Sequence, residues 1–439
     1  MSSIDQDTED LCRVGPGTVM GDLMRQYWIP VAMSSEVEAD GAPMRLMILG
    51  EKLIAFRDSS GRVGLMDHRC PHRCASLFLG RNEEDGLRCI YHGWKFDVEG
   101  KCVDMPSVPA HQDFKDKVHA KAYKTFERGG LIWGYMGASA EAPPLPMVEA
   151  NMLPEGEGNI AFVQRECNYL QALEGDIDTS HFSFLHAGSV EVDDLQDDDF
   201  MRFSVADRAP EFFVSDAPWG TTYCAYRAAT EGRTYWRFAN FLFPFWAQTP
   251  QGEFPDHITA RAWVPMDDTH TMSVSMTWKK MKPGIRPMKD GSTIPGVAQM
   301  EYLPNTTDWY GRWRTARNQS NDYMIDREAQ RDNRIYSGIT IVHIQDQAVT
   351  ETMGGITDHA FEHLAPGDQM IARTRRRLLR AARALRESGV VPEDVANPSL
   401  HLGARSGEFL TKGQPEWQEA YMENFKAAVR PVPGLRAAE

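Results

Sequence analysis

The chain is poor in cysteine, has no long apolar run and leans towards acid. Seven cysteines in 439 residues, an odd number, do not make a disulfide framework; in a reducing compartment they read as thiols or metal ligands. No apolar stretch approaches the roughly 20 residues that span a bilayer, so no membrane partner is expected. Lysine and arginine number 47 against 62 aspartates and glutamates, a net charge of −15. That balance disfavours nucleic acid, whose phosphates are held by clustered positive charge. The opening residues, Met1-Ser2-Ser3-Ile4-Asp5-Gln6-Asp7, lack the basic-then-apolar signature of a secretory signal, and a cytoplasmic location is expected. What is present, 42% hydrophobic and 25% charged residues, is ordinary globular composition. The length suits about two to four folding units.

Periodicity predicts a helix over the first thirty residues, ended by Ile29-Pro30. Residues 44–133 break into short alternating segments such as Leu53-Ile54-Ala55-Phe56, separated by turns such as Ser59-Ser60-Gly61, the texture of a small all-β domain. Pro143, Pro144 and Pro146 make 141–146 the natural linker. Beyond it come a helical pattern over 166–186, β-type runs within 212–278, and helical patterns around 309–329 and 370–388. Such an order points to α+β packing, with helices over an antiparallel sheet, and to a division into 1–150 and 151–439. The acidic run 193–199 reads as a solvated turn. Arg373, Arg375, Arg376, Arg377, Arg380, Arg383 and Arg386 share a stretch with apolar Leu378, Leu379, Ala382 and Leu385, which predicts a solvated amphipathic helix.

Two constellations carry chemistry. Cys70-Pro71-His72 and Cys89-Ile90-Tyr91-His92 form C-x-H and C-x2-H clusters with sixteen residues between them. Two thiolates and two imidazoles suit zinc, or a Rieske-type [2Fe–2S] centre with both Cys on one iron and both His on the other. Each loop mixes the two ligand types, which favours a cluster held between loops over a finger-like zinc site. Gly93 allows close backbone approach. Cys74, Cys102 and His68 fall outside the pattern. The second constellation, D-x2-H-x4-H, comprises Asp178, His181 and His186. At about 100° per residue, Asp178 and His181 share a helix face, whereas His181 and His186 diverge by about 140°. An i, i+5 pair converges only where the helix is bulged, and such bulges cluster at functional sites. Two histidines with a distant carboxylate are the facial triad of non-haem Fe(II) oxygenases.

These residues resemble the Rieske non-haem iron oxygenases, specifically the catalytic α subunit. The downstream segments 321–330, Gln345-Asp346 and Glu351-Thr352-Met353-Gly354 are similar to the phthalate 4,5-dioxygenase branch. The resemblance implies an N-terminal all-β Rieske domain and a helix-grip catalytic domain. It implies that Cys70, His72, Cys89 and His92 ligate the cluster and that His181, His186 and Asp346 bind the mononuclear iron, with Glu351 and Asp358 as nearby competitors for the third place. Asp178 matches the carboxylate that bridges His181 to a cluster histidine, here His92, of a neighbouring subunit, which implies a trimer or a hexamer. A flavin/iron–sulfur reductase would supply electrons singly, and O₂ would be used to convert an aromatic carboxylate into a cis-dihydrodiol, or in a monooxygenase or O-demethylase into a hydroxylated or dealkylated product. A pure electron carrier would instead leave the second constellation unexplained. A carboxylate in an apolar pocket calls for a bidentate arginine. Arg237, inside the aromatic stretch Tyr235-Trp236-Arg237-Phe238, is the first choice and Arg208 the second, ahead of Arg227 and Arg233. Glu211 stands where the phthalate branch leads one to expect a basic residue, so isomeric dicarboxylates, substituted benzoates and phenoxybenzoates fit as well as phthalate.

Overall fold

A computed structural model describes residues 3–432. Short runs of apolar and β-branched residues between tight turns give ten strands before the proline-rich stretch. They are β1 (Trp28–Met33), β2 (Met44–Ile48), β3 (Glu51–Arg57), β4 (Val63–Asp67), β5 (Arg81–Glu83), β6 (Gly86–Arg88), β7 (Lys95–Phe96), β8 (Cys102–Asp104), β9 (Ala122–Arg128) and β10 (Leu131–Tyr135). Six form a sheet in the order β1-β10-β9-β4-β3-β2, and β5-β6-β7-β8 form a four-stranded meander. Loop 70–75 lies between β4 and β5, and loop 89–94 joins β6 to β7. Cys70 and Cys89 sit in an apolar cluster with Phe56, Leu77, Leu87 and Phe96.

After the linker comes an eight-stranded antiparallel sheet. It comprises β11 (Gly158–Arg165), β12 (Glu211–Ala217), β13 (Gly220–Ala228), β14 (Arg233–Leu242), β15 (Trp246–Gln248), β16 (Thr259–Pro265), β17 (Thr271–Trp278) and β18 (Gly407–Lys412). The order is β11-β17-β16-β15-β14-β13-β12, with β18 pairing β14. β14 is rich in aromatic residues and buried from Thr234 onwards, because side chains cover both its faces. One apolar core continues from the first sheet into the second, with Trp133 and Trp246 6.0 Å apart. The helices that matter for the site are α1 (Ser3–Cys12), α2 (Val19–Met24), α3 (Tyr169–Asp176), α4 (Met201–Ala206), α5 (Arg327–Arg331), α6 (Val342–Thr352) and α7 (Gln369–Ser388). Among the described residues no helix is long and apolar enough to cross a membrane.

Several sequence expectations need correction. The helix expected over the first thirty residues is split by Gly15-Pro16-Gly17, and residues from Trp28 join the first sheet as β1. The pattern around 309–329 is not a helix. Asp322, Tyr323 and Met324 adopt positive φ, and only the five-residue α5 follows. The arginine-rich α7 does form, but it is not merely solvated. Arg375, partly buried, sits between Glu174 and Glu362, each at 2.6 Å, while Arg383 holds Asp7 and Asp10 of α1, and Arg386 holds Asp22 of α2. The first two helices therefore dock on the last long one. The acidic turn is also partly paired: Asp197 meets Lys289, Asp198 meets Arg286, and Asp199 accepts from the backbone N–H of Met201.

Candidate metal centres

The two Cys/His loops are built alike. In each, the cysteine N–H donates to the carbonyl five residues on (Cys70 to Ala75, Cys89 to Trp94, both 2.8 Å). In each, the cysteine carbonyl accepts from the N–H four residues on (Cys74 at 2.9 Å, Gly93 at 3.0 Å). That fourth residue has positive φ in both, +60° at Cys74 and +76° at Gly93. The turns bring His72 and His92 within 4.3 Å, ring centre to ring centre, and His72 stacks on Trp94. The Nδ1 atoms of both histidines are buried without a hydrogen-bond partner, and Cys70 and Cys89 are free thiols. Two orphaned imidazole nitrogens beside two unbridged buried sulfurs fit a [2Fe–2S] group of Rieske type. Cys74 is exposed and Cys102 buried, and His68 packs edge-on against Trp309.

The second constellation is assembled from separate elements. α3 ends at Asp176, whose carboxylate is tied to Arg261 and to the Trp263 indole. The continuous helix expected over 166–186 is therefore cut, and Asp178 lies outside it. Asp178 instead accepts from the Ser180 N–H at 2.7 Å and from His181 Nδ1 at 3.3 Å. His181 then leads into a π-helical turn, Phe182–His186, the wider winding that an i, i+5 pair requires. His181 Nε2 and His186 Nε2 are 3.2 Å apart, and Asp346 Oδ1 of α6 lies 3.0 Å from the latter and 3.6 Å from the former. Glu351 and Asp358 are not part of this group. Glu351 binds Tyr323 and Gln347, and Asp358 caps a turn.

The electrostatics of this triad call for a cation. His186 Nδ1 donates to Gln345 Oε1 at 2.6 Å, the amide being oriented by its own donation to the Ile339 carbonyl. With both Nδ1 protons given to oxygen acceptors, both Nε2 lone pairs face the Asp346 carboxylate, and the three acceptor atoms lie within 4.8 Å of one another. Burial alone would raise the Asp346 carboxyl; positive charge on the His186 and His181 rings, together with Arg165, holds it well below the usual carboxylate range, and a bound metal would supply that charge in place of the Nε2 protons. Two imidazoles and a carboxylate fit Fe(II) with coordination positions left open. Gln345 is a support that sequence reasoning missed; its only signal was its place beside Asp346.

A cavity of about 360 Å³ opens beside His186, lined by Phe182, Val342, Met201, Ile294, Tyr235, Arg237 and Glu408 among others, within the range of small-ligand pockets. Arg237 is 4% exposed. Its Nη2 donates to the Pro250 carbonyl and its guanidinium lies 4.8 Å from the Phe182 ring, while Nε and Nη1 have no hydrogen-bond partner. Arg208 does not line this cavity; it lies over Phe184, which corrects its place as second choice. Arg227 is buried with Nε on the Asp207 carbonyl and does not line the cavity, and Arg233 is the first residue of β14. Glu408 had no signal in sequence, since only the β14–β18 register sets it opposite Arg237.

A small β domain with paired Cys/His loops, joined to a sheet-and-helix unit that presents two imidazoles and a carboxylate, defines a two-centre iron oxygenase. Residues 27–124 match the family described as Rieske [2Fe-2S] domain, and residues 134–425 match that described as LigXa C-terminal domain like. The chain is 51% identical, over 98% of its length and 100% of the relative's, to the 3-chlorobenzoate-3,4-dioxygenase oxygenase subunit of Comamonas testosteroni. It is 36% identical to the phthalate 4,5-dioxygenase oxygenase subunit of Pseudomonas putida, over 89% of each. The crystal structure of dicamba monooxygenase bound to dicamba shares the fold, with a TM-score of 0.54 and 16% identity over 82% of this chain and 98% of that one. The chain belongs to the Rieske non-haem iron aromatic ring-hydroxylating oxygenases, as an α subunit, and is an oxidoreductase of a family that carries a [2Fe–2S] cluster and a mononuclear Fe(II). When bound, these groups supply single electrons and the site of O₂ activation.

Proposed function

We propose that this chain dihydroxylates an aromatic carboxylate to a cis-dihydrodiol, with Arg237 as the carboxylate anchor. The observation that carries the reading is a buried guanidinium, two of its N–H-bearing nitrogens unpartnered, in the same cavity as His186. Glu408, 3.9 Å from Nε, leaves those N–H groups without a hydrogen bond, which is costly in a buried site, and a substrate carboxylate that accepts from them removes that cost. The two relatives, named for 3-chlorobenzoate and phthalate, support the substrate class.

In this reading Cys70, His72, Cys89 and His92 hold the cluster, and His181, His186 and Asp346 hold the iron. Asp178 and Gln345 keep a proton on Nδ1 of His181 and His186, so each Nε2 offers a lone pair. Phe182, Val342 and Ile294 exclude water from the ring of the substrate, while Arg237 fixes its carboxylate and thereby its reacting edge. Electrons come from a separate flavin/iron–sulfur reductase in the cytoplasm. Asp178 would link His181 to His92 of a neighbouring subunit in a trimer or hexamer. The exposure of Ile90 (58%) and Tyr91 (54%) beside His92 supports such a contact.

Product identification from a panel of aromatic acids under ¹⁸O₂, with a compatible reductase, tests the reading. A cis-dihydrodiol carrying label in both hydroxyls is expected. A singly labelled phenol, or formaldehyde from a methoxybenzoate, would make the chain a monooxygenase or O-demethylase with the same ligands. About two rather than about three irons per chain would make it an electron carrier. Arg237→Ala should raise KM by about 10- to 100-fold, the worth of charge-assisted hydrogen bonds, with the cluster's colour unchanged; unchanged kinetics would remove Arg237 from the site.

A further inference from the structure

The cavity that holds Arg237 also holds one carboxylate that the reaction does not use. Glu408 faces Arg237 directly across the β14–β18 pair, so the backbone register fixes its position. Its Oε2 lies 3.9 Å from Arg237 Nε and accepts the hydroxyl proton of Tyr235. Among the described residues lining the cavity, Arg237 and Glu408 are the only arginine, lysine or acidic side chains, and His186 belongs to the metal triad. Arg227, another buried guanidinium of this sheet, is not among the lining residues, and its Nε is committed to the Asp207 carbonyl.

We propose that Glu408 is a specificity-determining residue that restricts the cavity to singly ionised aromatic acids and rejects dicarboxylates. The proposal rests on the reading of Arg237 as carboxylate anchor. A monocarboxylate takes the open Nη1 end of Arg237 while Glu408 stands 3.9 Å from Nε, so that one guanidinium is shared between the substrate and Glu408. A second carboxylate on the ring would find no further lysine or arginine on the cavity wall and would meet Glu408 as well; burial pushes the Glu408 carboxyl up, and Arg237 and the Tyr235 hydroxyl beside it favour its charged form. In a largely apolar pocket an unpaired carboxylate is costly, and a carboxylate whose backbone is fixed by strand pairing has little room to move away. An uncharged ring substituent such as a halogen incurs neither penalty.

Anaerobic titration of the holoenzyme with 3-chlorobenzoate and with phthalate measures this without turnover. Wild type should bind 3-chlorobenzoate at least 10-fold more tightly, and Glu408→Gln should shift that ratio at least 10-fold towards phthalate, with iron content and visible spectrum retained. A ratio unmoved by Glu408→Gln, or a wild type that binds phthalate as tightly as the monoacid, overturns the proposal. If the variant does not fold, wild type decides the matter with 2-nitrobenzoate, which matches phthalate in shape without its second charge. Binding at least 10-fold tighter than phthalate supports the proposal, and equal binding overturns it. Arg237→Met separates the two readings. Loss of both acids keeps the anchor whatever Glu408 does, whereas unchanged binding of both removes the anchor itself.

Discussion

Loops 70–75 and 89–94 each deliver a thiol and an imidazole from six residues of chain, closed by the same pair of backbone hydrogen bonds. The triad of His181, His186 and Asp346 is the opposite kind of construction. It needs the end of α3 fixed by Arg261 and Trp263, a π-helical turn, and a helix from far downstream whose Gln345 steadies His186. The first centre is shaped by local turns, the second by tertiary packing. Local turns make a site robust to changes elsewhere and easy to see in sequence, whereas packing lets the second site share a cavity with Arg237.

The largest expected effect comes from removing one ligand at each centre. Asp346→Ala should abolish turnover, lose the mononuclear iron and leave the red-brown spectrum of the cluster unchanged. Cys89→Ala should do the converse, bleaching the chain while His181, His186 and Asp346 still bind a divalent metal. Metal analysis beside the visible spectrum checks both. Loss of both centres in either variant would show that they do not form independently, and the contrast between local and packed sites would fail.

The same contrast explains what could be read from the sequence. The cluster loops are legible because ligands, turn glycine and spacing lie within 25 residues of one another. The pair His181 and His186 was legible as a bulged spacing, while the break after Asp176 was not, because it depends on Arg261 and Trp263 in β16. Asp346 could be named through family resemblance, but only the fold separates it from Glu351, whose carboxylate is spent on Tyr323 and Gln347. The arginines of α7 show the same limit. Their amphipathic spacing predicts the helix, yet nothing local announces that Asp7, Asp10 and Asp22 will meet them. Glu408 was invisible because strand register is a property of two segments at once.

A smaller effect is expected where the packed centre meets its support. Asp178→Asn leaves one oxygen where the carboxylate offers Oδ1 to the Ser180 N–H and Oδ2 to His181 Nδ1, so one of these hydrogen bonds is lost, but no metal ligand is touched and both metals should be retained. What is lost is the negative charge that orients the imidazole and, in the proposed assembly, reaches His92 of the next subunit. Turnover coupled to reductase oxidation should fall about 10- to 100-fold, the usual cost of a lost support to a metal-bound histidine. Stopped-flow reduction of the cluster should be unaffected. Normal coupled turnover would remove Asp178 from the electron path.

The smallest effect lies inside the local centre, where the two loops differ at their matched fourth residue. Cys74 adopts φ +60° with its side chain exposed, whereas Gly93 adopts +76° and a Cβ there would lie 2.7 Å from Pro106 Cγ. A left-handed backbone costs a non-glycine residue about 1–2 kcal/mol, partly offset because alanine also restricts the unfolded chain. Gly93→Ala should therefore lower the temperature at which the cluster's absorbance is lost by a few degrees, with more if Pro106 cannot yield. Cys74→Gly removes the same backbone strain from the other loop but frees the unfolded chain, so it should shift that temperature little in either direction. Equal behaviour of the two variants would mean that the loops are closed by the cluster itself rather than by their backbone turns, and the first centre would then be no more locally determined than the second.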